Sequence, residues 1–350
     1  MSQDSSLFRP VVAGGDPFGT HRALPAGGLP QPAERVDNDF SRLFDGELLI
    51  AVETLNIDAA SFREMEERGG ESVETHVAAT IAARGKQHNP VTGSGGMLLG
   101  RVLQVTPGHP DAATLQVGDR VATLVSLSLT PLTVSEFRAA RKESAQLDVV
   151  GEAVLFASGA YARMPADFPE RLALALLDVA GAAPQVARLA KPGQTVLVLG
   201  AGGKSGILCA AEAKRRGATV IGVESFEGYA NDLRALGICE TVLVQDARDP
   251  VAVRRAVLAA NGGKEVDLAF SCVNVGDAEM AAILATKDRG IVYFFAMSTS
   301  FTKAALGAEG VGKDVDLVIG NGYAHGHADE TLDLVRALPA VGELFAKRYG

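Results

Sequence analysis

The spacing of apolar residues along this chain changes character once, near Pro169. Before that point the pattern is mostly that of β-strands. Glu47 to Leu55, Met97 to Val105, Asp119 to Leu124 and Val125 to Leu132 are short apolar runs separated by turn pairs such as Pro107-Gly108 and Gly118-Asp119. Gly151 to Met164 returns to strand after a charged stretch, Glu136 to Gln146, that reads as a helical insert or a loop. Ser61 to Arg84 carries helical spacing, with a break at Gly69-Gly70. Residues 1–46 are rich in Gly, Pro and Asp and predict an extended arm or loops.

After Pro169 the pattern alternates. Leu172 to Ala190 is helical, with interruptions at Gly181 and Pro184. Continuous apolar runs follow at about 195–199, 219–223, 241–244, 266–271, 290–295 and 315–319, with helical stretches between the first five. Apolar residues facing both ways mark strands covered on both faces, and such strands joined through helices predict a doubly wound parallel sheet. Ala328 to Tyr349 reads as one or two helices broken at Pro339. The organisation expected is an α/β chain: a β-rich lobe over 1–168, a parallel-sheet domain over 169–325, and a helical segment over 326–350 packing back on the lobes.

One unit in the second half carries more information than the rest. Thr195 to Leu199 is a buried strand that runs into Gly200, Gly202, Gly203 and Gly206, and a helix begins near Lys204 and Ser205. Glycines let the chain turn sharply and let main-chain N–H groups approach a pyrophosphate at the helix N-terminus. A second apolar strand, Thr219 to Val223, ends at Glu224, roughly 20 residues past the first glycine, where a dinucleotide fold places the acid that binds the adenosine ribose. Gly203-Lys204-Ser205 resembles the tail of a phosphate-binding P-loop, but the first glycine of that motif would fall on Val198. The glycine spacing is one residue longer than the commonest dinucleotide fingerprint, which leaves the closest phosphate contact open. A second cluster, Thr92 to Gly96, has no buried strand before it and predicts a tight turn where backbone passes close to a ligand or another strand.

Composition narrows the class. The 350 residues, 47% hydrophobic and 21% charged, are those of a globular chain long enough for two cores. A net charge of −9 without clustered Lys or Arg argues against nucleic acid and favours cationic or amine ligands. Cys209, Cys239 and Cys272 form no CxxC pair, so they read as small core residues of a reducing cytoplasm. MSQDSSLFRP is not a secretion signal, and no run is long enough to span a bilayer.

Gly118-Asp119-Arg120-Val121, Gly159-Ala160-Tyr161-Ala162 and Lys191-Pro192-Gly193 leading into the glycine turn resemble the medium-chain dehydrogenase/reductase superfamily. Within it, ETLNIDAASF (53–62), NPVTGSGGMLLG (89–100), GDRVATLVSLSLTPL (118–132) and SFTKAALGAEGVGKD (300–314) resemble the L-erythro-3,5-diaminohexanoate dehydrogenases of lysine fermentation, a zinc-free branch. The resemblance implies a GroES-like lobe beside a Rossmann domain, and a homo-oligomer, dimer or tetramer. It also implies that NAD, with NADP possible, takes hydride from C3 of a diamino acid, giving 5-amino-3-oxohexanoate and ammonia after imine hydrolysis. Glu224 favours NAD, since a carboxylate repels a 2′-phosphate. Ser225 and Asn56 join the glycine turn among the expected cofactor contacts. Asn56 lies about where zinc members of the superfamily place a cysteine ligand, and their four-cysteine lobe and His-Glu pair are absent, so no metal is expected.

Hydride leaves an amine carbon only when the nitrogen lone pair is free, so the site must accept a proton and then stabilise an iminium cation. Asp58, two residues past Asn56, is the first candidate, with helix capping as the alternative. Asp178 lies inside an apolar helical run, where a buried carboxylate needs a partner such as a substrate ammonium or the nicotinamide amide, with an intramolecular salt bridge as the alternative. Glu309 and Lys303 flank the region after the fifth strand and are candidates for the second ammonium and the carboxylate, against simple solvation. His88 with Lys86 is a possible proton shuttle on a surface loop. His325 and His327 read as loop residues, and Tyr323 as pocket lining or packing. Two rival functions fit the same scaffold, a zinc-free quinone or enone reductase and a non-catalytic dinucleotide-binding protein.

Overall fold

The structure is a computed structural model that describes residues 8–57, 59–67, 70–89 and 95–349, the side chains of 59 and 60 excepted. The chain divides into two compact units, residues 1–166 and 167–350.

In the first unit, the two-residue strands Val11–Val12 (β1), Ala23–Leu24 (β2), Arg35–Val36 (β3) and Leu43–Phe44 (β4) precede Leu48–Asn56 (β5). Helices Ala59–Glu67 (α1) and Val73–Arg84 (α2) follow. Then come Met97–Val105 (β6), Arg120–Thr123 (β7), Leu132–Arg141 (β8), Gln146–Leu155 (β9) and Tyr161–Arg163 (β10). The last five strands and β5 form one antiparallel sheet in the order β10-β7-β6-β5-β9-β8. Leu48, Ile50, Val52 and Leu55 of β5 point into a core completed by Leu98, Val121, Leu147 and the α2 residues Val73, Val77 and Ile81. Burial of each such side chain contributes about 1.5–3 kcal/mol. Ser72 caps α2 by accepting from Thr75 N at 3.3 Å, and Gly85 ends it at a φ of 70°.

Three expectations are corrected here. Residues 136–146 are strand, not helix or loop: β8 runs to Arg141 and turns through Lys142–Ser144 into β9. β8 is an edge strand, and charges such as Glu136 and Arg138 belong on its solvent side. Residues 125–131 are not strand; Leu127–Leu129 is a 3₁₀ turn capped by Ser126 that plugs the fully buried Leu127 into the core. The N-terminal residues described are no free arm, because Arg22 is fully buried and paired with Glu47. Its guanidinium also donates to the carbonyls of Asp37, Asp39 and Arg42.

In the second unit the helices Glu170–Leu177 (α3) and Ala182–Leu189 (α4) lead into six strands. These are Thr195–Leu199 (β11), Thr219–Glu224 (β12), Thr241–Val244 (β13), Val266–Ser271 (β14), Thr286–Phe294 (β15) and Asp316–Ile319 (β16). Between them run Lys204–Arg215 (α5), Glu227–Leu236 (α6), Pro250–Ala260 (α7), Glu279–Ala285 (α8) and Phe301–Gly310 (α9). His327–Ala337 (α10) and Pro339–Tyr349 (α11) close the chain and pack on α3 to α6. The sheet is wholly parallel in the order β13-β12-β11-β14-β15-β16, so its direction of winding reverses between β11 and β14, the place at whose carboxyl ends such sheets bind their ligands.

Pro184 does not interrupt a helix; it sits in the first turn of α4, where its missing N–H would have had no partner. The glycine-containing stretch after the fifth strand is α9, capped by Ser300, whose Oγ accepts from Lys303 N at 3.3 Å. β15, which contains the run read at 290–295, is paired on both sides, and the sheet's edges are β13 and β16.

Candidate active site

The glycine turn after β11 is stitched to both neighbouring strands. Gly200 N and Ala201 N donate to Val223 O at 2.9 and 3.1 Å, and Cys272 N donates to Leu199 O at 2.9 Å. Gly200 has a φ of 69°, a left-handed conformation that favours glycine. At Gly202 a Cβ would lie 2.7 Å from Tyr229 Cβ and 2.8 Å from Glu224 Oε2, and at Gly206 it would collide with Gly200 O. The chain therefore passes where only hydrogen atoms fit. α5 follows the N-cap Gly203, which offers no side-chain cap, so its first-turn N–H groups are presented to whatever anion lies there. Lys204, Ser205 and Gly206 supply that turn. This cradle fits a pyrophosphate.

Glu224, 7% exposed at the end of β12, closes the turn from the other side. Its Oε2 accepts from Gly202 N at 3.0 Å, and its Oε1 accepts from Ser225 N at 2.8 Å and from Ser225 Oγ at 3.3 Å. The Gly202 amide is thus committed to the carboxylate, which moves the expected phosphate contacts on to the amides of α5. A carboxylate has roughly four lone-pair sites, so Glu224 keeps acceptor capacity for a ribose diol.

The C-terminal helix completes the surroundings. Arg348 donates to Gly202 O at 2.6 Å and to Asp232 Oδ2 at 2.6 Å, and its guanidinium lies 4.1 Å from the ring centre of Tyr229. Lys204 Nζ pairs with Asp178 at 3.1 Å and lies 5.0 Å from the Tyr349 ring centre. Asp178 is consequently not a buried acid; it stands at the end of α3, 47% exposed, as the partner of Lys204.

The other candidates are dispersed. Lys303 and Glu309 lie on α9 and are exposed, and Lys303 is ion-paired with Asp277 at 2.5 Å. Tyr323 is 43% exposed, its hydroxyl 3.3 Å from His325 Nδ1. His327 is not a loop residue; it opens α10, 5% exposed, its ring 5.2 Å from that of Tyr323. In the first unit, Asn56 ends β5 and its Oδ1 accepts from Gln146 Nε2 at 3.0 Å. Asp58 and residues 92–94 of the second glycine cluster lie outside the described residues. In the rest of that cluster, Gly96 packs against the Asn56 carbonyl so closely that a Cβ would collide with it. His88 is half-buried, and burial first, then the charges of Arg84 and Lys86, hold its imidazole below the ordinary value of 6.5. Lys86 is not its shuttle partner, because its Nζ is buried and donates to the carbonyls of Pro30 and Gln31. Cys209 and Cys272 are free thiols with sulfurs 3.8 Å apart, where α5 meets the end of β14. Among the described residues no group of three or more His, Cys, Asp or Glu side chains is placed to hold a metal, and no single helix is long and apolar enough to cross a membrane.

A family model described as the L-erythro-3,5-diaminohexanoate dehydrogenase N-terminal domain matches residues 21–165. Two curated relatives named L-erythro-3,5-diaminohexanoate dehydrogenase, from Acetoanaerobium sticklandii and Fusobacterium nucleatum subsp. nucleatum, are 49% and 50% identical over 339 residues, 95% of this chain and 98% of each relative. The chain belongs to the L-erythro-3,5-diaminohexanoate dehydrogenase family.

This member of the diaminohexanoate dehydrogenase family is an oxidoreductase with the fold of the medium-chain reductases. A Pseudomonas syringae quinone oxidoreductase is similar at TM-score 0.57 and 19% identity, covering 95% of both chains. A mycobacterial quinone oxidoreductase is similar at TM-score 0.56 and 21% identity over 90% of this chain and 86% of its own. At such identities the likeness is one of fold. Sequence reasoning missed Tyr229 and Arg348, neither of which stands in a motif, and Arg348 reads as one more basic residue in a last helical turn.

Proposed function

We propose that the chain catalyses oxidative deamination of L-erythro-3,5-diaminohexanoate at C3, with NAD preferred, giving 5-amino-3-oxohexanoate and ammonia. The observation that carries this reading is the buried Glu224 carboxylate braced against the glycine turn, in a chain about half identical to relatives of that name. When bound, NAD supplies the hydride acceptor. The first turn of α5 would hold its pyrophosphate and Glu224 its adenosine ribose, with Arg348 and Tyr229 fixing the turn. A negative charge at Glu224 disfavours the 2′-phosphate of NADP.

On the substrate side, the C3 ammonium must lose a proton before hydride departs, and the resulting iminium must then be attacked by water. Asp58, two residues past Asn56 in the sequence, and His88, whose neutral ring offers a lone pair, are the proposed proton-handling groups. Lys303 and Glu309 are exposed, and no role is assigned to them. The protein is read as a cytoplasmic homo-oligomer, with the edge strand β16 as the proposed contact, testable by light scattering. The activity is tested by mixing purified protein with NAD and the diamino acid and following NADH. Formation of NADH with release of ammonia is expected. Silence with both NAD and NADP, alongside NADPH-dependent reduction of an enone, overturns the reading.

A further inference from the structure

The first unit contains a cavity of about 300 Å³ between α1, α2 and the turn that follows α2. Its lining is chemically mixed: Met65 and Ala79 are apolar, Arg84 contributes a guanidinium, and Glu64, His76, Gln87 and His88 contribute polar groups. Gln87 is 2% exposed, and its side-chain Oε1 is buried with no hydrogen-bond partner among the described residues. His88 Nδ1 is in the same condition. His76, which also lines the cavity, has a third such atom in Nε2. Buried polar atoms are nearly always paired, so three orphaned atoms on residues that line one cavity point to a donor supplied from outside the chain.

Glu64 adds charge to that lining, and its orientation is set. Asn89 Nδ2 donates to Glu64 Oε2 at 2.9 Å and to Ser61 Oγ at 2.9 Å. With His88 neutral near pH 7, its Nδ1 is an acceptor when Nε2 carries the proton. An amide oxygen, an imidazole nitrogen and a carboxylate together want a group that donates several hydrogen bonds and carries a positive charge. An alkylammonium, with three N–H donors, meets both conditions, whereas water meets only the first. Arg84 in the same cavity suits a carboxylate, and Met65 suits the methylene chain between the two charged ends.

We infer that this cavity binds the diamino acid, one ammonium held by Glu64, Gln87 Oε1 and His88 Nδ1 and the carboxylate by Arg84. The inference rests on the substrate reading above, and it assigns Glu64, Gln87 and Arg84 as binding residues that no motif marks.

The test is a calorimetric titration of the full chain with L-erythro-3,5-diaminohexanoate, which needs no turnover. Glu64→Gln keeps an oxygen for Asn89 while removing the charge, and loss of a charge-assisted contact should weaken diamino acid binding by about tenfold to a hundredfold. NAD binding, titrated separately, should stay within about twofold, because the cofactor's cradle is built by other residues. Gln87→Met serves as the second variant. It removes an acceptor that has no protein partner, so binding should weaken while the thermal midpoint holds or rises. If the wild type binds the diamino acid and both variants bind it equally well, the cavity assignment falls and the substrate reading stands. If the wild type binds no diamino acid, both fall.

Discussion

Replacing Glu224 by glutamine should erode the preference for NAD over NADP more than it lowers activity. The carboxylate accepts from Gly202 N and Ser225 N through different oxygens, at 3.0 and 2.8 Å. Glutamine has one side-chain oxygen, so its amide NH₂ must face one of those N–H groups, donor against donor. Leaving one buried N–H unpaired costs about 1–3 kcal/mol, borne by the folded turn with either cofactor. The ribose diol, moreover, loses charge-assisted hydrogen bonds that are about twice as strong as neutral ones, about 1 kcal/mol for each bond and only when NAD is bound. NADP gains by contrast, since unit charges about 6 Å apart at an effective dielectric of about 20 repel by about 3 kcal/mol, and glutamine removes that repulsion. The cofactor-specific part sums to about 4–5 kcal/mol, so the ratio of kcat/KM for NAD to that for NADP should fall by about 1,000-fold to 5,000-fold. Initial rates with each cofactor at saturating diamino acid measure that ratio directly. If Glu224→Gln lowers both cofactors by the same factor, the carboxylate only braces the turn, and the argument for NAD from this residue is refuted.

Arg348→Ala should raise KM for NAD while sparing kcat, because it frees the Gly202 carbonyl, the Asp232 carboxylate and the Tyr229 face at once; the loss is about 1–3 kcal/mol, read by titration with NADH. Glu47→Ala strands the Arg22 guanidinium in the core and should cost about 3–5 kcal/mol in urea unfolding, with little effect on cofactor binding. Burial pushes the Glu47 pKa up, but the bonds from Arg22 and His21 outweigh it and leave the group below its ordinary value of 4.5. Its stabilisation is therefore full above that value and lost as pH falls through the lower folded one, and Glu47→Gln should flatten this acid limb in denaturation curves. For His88, which lines the cavity with Glu64, His76 and Arg84 and has Lys86 close by, burial sets the ring pKa below 6.5. The acid limb of activity should then have its midpoint below pH 6.5, and His88→Gln should remove that limb from the kcat/KM profile.

What the chain discloses to a reader of its pattern depends on whether a residue's partner is local. The central strands of the parallel sheet carry continuous apolar runs, because helices cover both faces, and so Thr195–Leu199 and Thr219–Glu224 could be read residue by residue along with the glycine turn between them, whereas the exposed Lys287, Asp288 and Arg289 hid the start of β15. The edge strand β8 could not, since its solvent side carries the charges that elsewhere mark a helix or a loop. Arg22 was hidden for a different reason: an arginine in a Gly- and Pro-rich stretch is exposed by default, and only a carboxylate 25 positions on makes its burial possible. The candidate site divides along the same line. Glu224 announces itself because the dinucleotide fold fixes its distance from the glycines, whereas Glu64 sits in a short polar helix where an acid counts as solvent face. Arg348 reaches the turn from 146 residues away. Periodicity reports that a face is covered, but it cannot name what covers it. The polar residues Lys86 to Asn89 were the one usable sign of the cavity, because hydrogen-bonding side chains packed beside the buried face of a helix have to find partners, and here Gln87 and His88 line an open cavity with a buried atom each that has no protein partner among the described residues.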